Sequence, residues 1–124
     1  MTWRKPDEML VRLLDETIAG LDTDQPVDFK PMFGCPAYFI RGNMFAGVWQ
    51  DSLMLRLPDG QRQQVRDAGG WPFEPMEGRP MKEYVVLPPA DVADHGALQD
   101  WVLRAAGYAA SLPPKAPKRR KPRG

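Results

Sequence analysis

The sequence predicts an α+β domain, in which an antiparallel sheet carries helices, followed by a short basic tail. Three observations lead there. Residues 32–57, MFGCPAYFIRGNMFAGVWQDSLMLRL, read as three short strands joined by two tight turns. Stretches with apolar residues at helical spacing lie on both sides of them. From Pro113 onward proline and cations replace everything that could pack.

The first element spans residues 7–21. Met9, Leu10, Leu13, Leu14, Ile18 and Leu21 recur at i, i+3, i+4 spacing, which predicts an amphipathic helix. Asp7 and Glu8 suit the positive end of its dipole, and Gly20 with the polar run that follows ends it. Phe29-Lys30-Pro31 then leads into the sheet. Gly42-Asn43 separates Ala37–Ile40 from Met44–Trp49, and both residues tolerate the positive φ of a primed hairpin turn. Strict alternation puts Phe45, Gly47 and Trp49 on one face and Met44, Ala46 and Val48 on the other. Neither face is polar, so this strand should be central. Gln50-Asp51-Ser52 makes the second break, after which Leu53, Leu55 and Leu57 alternate with Met54 and Arg56. Met54, sharing a face with Arg56, is expected on an exposed or partner-covered surface.

A short surface helix should run from Pro58-Asp59-Gly60 to about Ala68, with Val65 and Ala68 as its only apolar residues. Gly69-Gly70 caps it. Trp71-Pro72-Phe73 starts a fourth strand, Glu77-Gly78-Arg79-Pro80 turns the chain, and Tyr84–Leu87 is the fifth, stopped by Pro88-Pro89. The last helix, about 97–111, carries the stripe Leu98, Trp101, Val102, Ala105, Tyr108, Ala109 and Leu112. The order α-β-β-β-α-β-β-α with short connections predicts a five-stranded antiparallel sheet, in one domain over residues 1–112 with a disordered tail over 113–124.

Candidate chemistry is sparse. With 124 residues, 43% hydrophobic and 27% charged, the chain has the composition of one ordinary globular domain. No apolar run is long enough for a membrane span, and the first ten residues lack the apolar core of a secretory signal. A single cysteine gives no internal disulfide, so the expected location is cytoplasmic. Cys35 and His95 are the only residues of their kinds, and no set of ligands at zinc spacing exists. Cys35 reads as a packing residue and His95 as a solvated loop or cap residue; a small enzyme built on the Cys35 thiol is the least favoured reading. Asp15, Glu16, Glu74, Glu77 and Glu83 read as solvated surface carboxylates. Gly69-Gly70 lacks the Lys-Ser/Thr of a phosphate loop and follows a helix instead of opening one. Met32, Met44, Met54, Met76 and Met81, with Trp49 and Trp71, read as core and its rim. No catalytic residue, cofactor or metal is expected.

Charge is distributed unevenly. The net charge of +1 combines a body, residues 1–112, at −5 with a tail holding six cations and no acid. Lys115, Lys118, Arg119, Arg120, Lys121 and Arg123 could bind a polyanion by counterion release, or could simply keep the protein soluble.

Met32-Phe33-Gly34, Gly42–Ala46, Leu53–Arg56, Pro72-Phe73, Gly78–Met81, Tyr84–Pro88, Leu98 and Trp101 form an ordered series over residues 7–112. In that series the chain resembles the N-terminal domain family of the TfoX/Sxy competence regulators, in an expected stand-alone form with a basic tail in place of a second domain. The resemblance implies a two-layer fold similar to the type III secretion chaperones. It also implies a non-enzymatic bacterial regulator of competence-gene transcription, acting alongside the cyclic-AMP receptor protein. It brings no catalytic residues. The other reading to carry forward is a protein-interaction adaptor, as a monomer or a homodimer, using an exposed sheet face or edge.

Overall fold

The computed structural model of the chain describes residues 6–23, 25–31, 35–74, 78 and 81–114. In order these form α1 (Glu8–Ala19), β1 (Asp28–Phe29), β2 (Ala37–Ile40), β3 (Asn43–Trp49), β4 (Ser52–Arg56), α2 (Asp59–Asp67), β5 (Trp71–Pro72), β6 (Tyr84–Val86), α3 (Pro89–Ala93) and α4 (His95–Ser111). The strands make one antiparallel sheet in the order β1-β2-β3-β4-β6-β5. This is the α+β class read from the sequence, with a sixth strand added. The extra strand is β1, whose two residues pair Asp28 with Phe39 and Phe29 with Tyr38; it is too short to show a periodicity. Pro88-Pro89 stops β6 as expected. It also opens α3, because proline in the first helical turn lacks only an N–H that would have no intrahelical partner.

The main core lies between the sheet and the helices. Leu53, Leu55 and Leu57 meet Leu14 of α1, Val65 of α2, and Leu98, Val102, Ala105 and Ala109 of α4, all buried. Asp7 caps α1 through Met9 N and Leu10 N, and Asp94 caps α4 through Ala97 N. Gly70 shows how closely α2 approaches the sheet: a Cβ there would stand 2.5 Å from both Val65 Cγ1 and the Val86 carbonyl oxygen.

Three local expectations are corrected. First, the β2–β3 turn is centred on Arg41-Gly42, with φ of 53° and 82°, and not on Gly42-Asn43. Asn43 stays in the ladder opposite Ile40, where its buried side-chain amide donates to the Pro113 carbonyl at 3.1 Å. Second, β3 does not alternate strictly. Tyr38 faces Ala46 while Phe39 faces Met44, so Phe45 is the extra residue of a β-bulge. The bulge resets the faces: Phe45, Ala46 and Val48 join the helix-side core, and Met44 and Trp49 go to the opposite side. Third, Met54 is only 5% exposed. On the sheet face away from the main core it packs with Ala37, Met44, Val86 and Phe73, the last brought over this face where the chain leaves β5. Gly47 makes the room, since a Cβ there would lie 2.8 Å from Met54 Cε.

Candidate functional site

Two regions stand out, at opposite ends of α4. At its C-terminal end side chains are tied down. Glu83 adopts a left-handed backbone (φ 72°), unusual for a residue other than glycine. Its Oε1 accepts from Arg56 Nε at 2.8 Å and Arg56 Nη2 at 2.6 Å, and its Oε2 accepts from the Tyr108 hydroxyl at 2.7 Å. One carboxylate thus links β4, the lead-in to β6, and α4. The hydrogen bond from Tyr108, with the Arg56 pair beside it, holds the Glu83 carboxyl below its ordinary range, and the same bond pushes the Tyr108 hydroxyl up. The Arg56 guanidinium also lies over the Tyr84 and Tyr108 rings, 5.7 and 5.9 Å from their centroids. Close by, Arg41 Nη1 donates to the Ala110 carbonyl at 3.0 Å. These contacts satisfy one another and leave no reactive group displayed; they fasten the fold. Reading Glu83 as a plain solvated carboxylate is therefore corrected: its partners come from residues 27 and 25 positions away, which no local pattern reveals.

At the N-terminal end of α4 lies a groove of about 450 Å³. Leu53, Val86, Leu87 and Leu98 form its floor; Met9, Leu10 and Leu13 of α1 and the α3–α4 corner, with Val92 and His95, form its walls. Met9, read as part of the apolar stripe of the first helix, and Trp71, expected in the core or its rim, are 68% and 45% exposed at its margin. Both lie at element ends, Met9 in the first turn of α1 and Trp71 on the edge strand, where none of the described residues covers them. Asp51 lines the groove, and no lysine or arginine does among the described residues. Asp7 N donates to the Gln50 carbonyl at 2.7 Å, which pins the start of α1 to the turn that carries Asp51. A second groove, of about 480 Å³, lies between α1 and β1–β2. There the Tyr38 hydroxyl donates to Asp15 Oδ1 at 2.8 Å, and burial, then this bond, pushes the hydroxyl pKa upward.

The other sequence candidates fall as follows. Cys35 is buried, as a packing residue should be; His95 is exposed in the first turn of α4 and lines the first groove. No hydrogen bond joins the two among the described residues. No three His, Cys, Asp or Glu side chains converge as metal ligands among the described residues, and no described helix is long and apolar enough to cross a membrane. Lys115, Lys118, Arg119, Arg120, Lys121 and Arg123 lie outside the described residues, as do Met32 and Met76.

Residues 16–109, about three quarters of the chain, match the family model of the TfoX N-terminal domain. The chain belongs to that family. No curated protein and no solved structure matches it. The TfoX N-terminal domain match begins within α1 and ends near the close of α4, so it contains the whole sheet and the Arg56–Glu83–Tyr108 fastening. Met9, Leu10 and Leu13, one wall of the apolar groove, precede it.

Proposed function

We propose that this TfoX N-terminal domain protein is a non-enzymatic, cytoplasmic bacterial regulatory module. In this reading Lys115, Lys118, Arg119, Arg120, Lys121 and Arg123 hold nucleic acid without sequence preference in a transcription-associated role. The observation that carries it is the charge split: a body at −5, and six cations without one acid in the last twelve residues. An acidic body repels phosphates, so binding falls to that segment by counterion release. If all six cations met duplex phosphates, affinity would fall about a thousandfold between 50 and 200 mM salt.

The test is fluorescence anisotropy with DNA and RNA at both salt concentrations, for the full chain and for a chain ending at Pro114. That endpoint keeps the Pro113 carbonyl that Asn43 grips. Binding that needs residues 115–124 and falls steeply with salt supports the reading. Equal binding by both chains, or none at 50 mM, overturns it.

A second reading, a protein-interaction adaptor working through the folded body, is favoured by the apolar groove between α1 and the α3–α4 corner. It requires that partner binding survive removal of residues 115–124.

A further inference from the structure

We infer that the groove between α1 and the α3–α4 corner is a docking site for a cationic amphipathic helix of a partner protein; the inference rests on the adaptor reading and names the partner's chemistry. The groove volume, about 450 Å³, is in the range of natural binding pockets, roughly 300–1,000 Å³. Its floor of Leu53, Leu87 and Leu98 is apolar, and its margins present Met9 and Trp71 to solvent, a flexible thioether and a large aromatic that can close on an inserted side chain. Helical partners dock in such grooves through apolar residues at i, i+3, i+4 and i+7.

The sign of the partner's charge follows from the surroundings. Asp51 lines the groove, and Asp91 and Asp94 belong to the α3–α4 corner that walls it, while Glu8, like Arg12, lines the second groove. Arg104, one turn from Asp100 on α4, is paired with it at 2.8 Å. Arg12 lines the second groove and not this one. A helix laid here meets carboxylates at its flanks and, among the described residues, no lysine or arginine in the lining, so lysines or arginines beside the apolar stripe steer it in and acidic residues repel it. A second copy of this chain does not supply such a helix among the described residues. Apart from the single exposed residues Met9 and Leu103, the large apolar residues of α1 and α4 are committed to the core, and α2 has arginines but buries only Val65.

The probe is a fluorescein-labelled synthetic helix with leucines at i, i+3, i+4 and i+7 and lysines elsewhere. It is compared with a glutamate-faced twin and a lysine peptide carrying serine for leucine. Anisotropy with the full chain should show the lysine–leucine helix binding about tenfold or more tightly than either control. Met9→Asp should weaken it at least about tenfold and Asp51→Lys about fivefold, with thermal melting unchanged because both residues are exposed.

Equal binding of the serine control means charge attraction alone and overturns the inference. So does Met9→Asp without effect. Tighter binding of the glutamate-faced helix, still lost in Met9→Asp, overturns the cationic partner while leaving the adaptor reading intact. No binding by any helix removes both. If sedimentation velocity shows a dimer that Met9→Asp dissociates, the occupant is a second copy and the inference falls.

Discussion

The two ends of α4 solve opposite problems. At the C-terminal end Glu83, Arg56 and Tyr108 satisfy one another, Arg41 reaches the Ala110 carbonyl, and Asn43 reaches the Pro113 carbonyl. Polar side chains from four separate stretches converge, and little apolar surface is left uncovered. At the N-terminal end the caps Asp7 and Asp94, the Asp7–Gln50 backbone bond and the Trp101–Asp91 bond tie the chain, and Met9 and Trp71 are exposed at the margin of an apolar floor. The contrast teaches where to look for each property. Substitutions at the closed end should change stability, and substitutions at the open end should change what the protein binds.

The largest break in that contrast should come from Phe45→Ala. Phe45 is fully buried at the bulge, and truncating it should cost about 3–5 kcal/mol in urea unfolding. A cost below 1 kcal/mol would mean the bulge side chain does not anchor the core. Gly70→Ala comes next, at about 1–3 kcal/mol, because the new Cβ meets the Val86 carbonyl oxygen, which is backbone and yields little. Glu83→Gln should cost about 1–2 kcal/mol by loosening Arg56 and Tyr108. Glu83→Gly should cost less than Glu83→Gln if the left-handed backbone strain is the larger effect, and more if the carboxylate is. The smallest stability effect belongs to the open end: Met9→Ser should stay within about 0.5 kcal/mol, since Met9 is mostly solvated.

A pH titration sharpens the same comparison. The Glu83 carboxyl titrates below its ordinary value of 4.5 in the folded chain, because Tyr108 and Arg56 favour its charged form. The folded state therefore holds fewer protons at this site than the unfolded state. Its stabilising contribution is complete above 4.5 and is lost as pH falls through the lowered value. Urea midpoints measured downward from pH 6 should show this decline in the natural chain and a shallower one in Glu83→Gln. Parallel curves would remove Glu83 from the account of acid sensitivity.

Most of the fold was legible because its signals are local. The leucine alternation in β4 and the apolar spacing of α4 each identify one face of one element. What escaped depends on contacts across the chain. The bulge at Phe45 is set by pairing with β2, and Asn43 is drawn out of the turn by a carbonyl 70 residues away. Met54 is covered by Phe73, and Glu83 is matched to partners on other elements. The groove was illegible for a related reason. Met9, Leu10 and Leu13 look like any helix stripe, and only the placement of α1 beside the α3–α4 corner shows that they wall a groove.

The grip of Asn43 on Pro113 has an electrical consequence. It holds Pro113 at the far end of α4 from the groove, and seventeen helical residues at 1.5 Å rise set the two about 25 Å apart. At physiological ionic strength that is roughly three screening lengths of about 8 Å each. A charge placed at Pro113 is therefore nearly silent at Asp51.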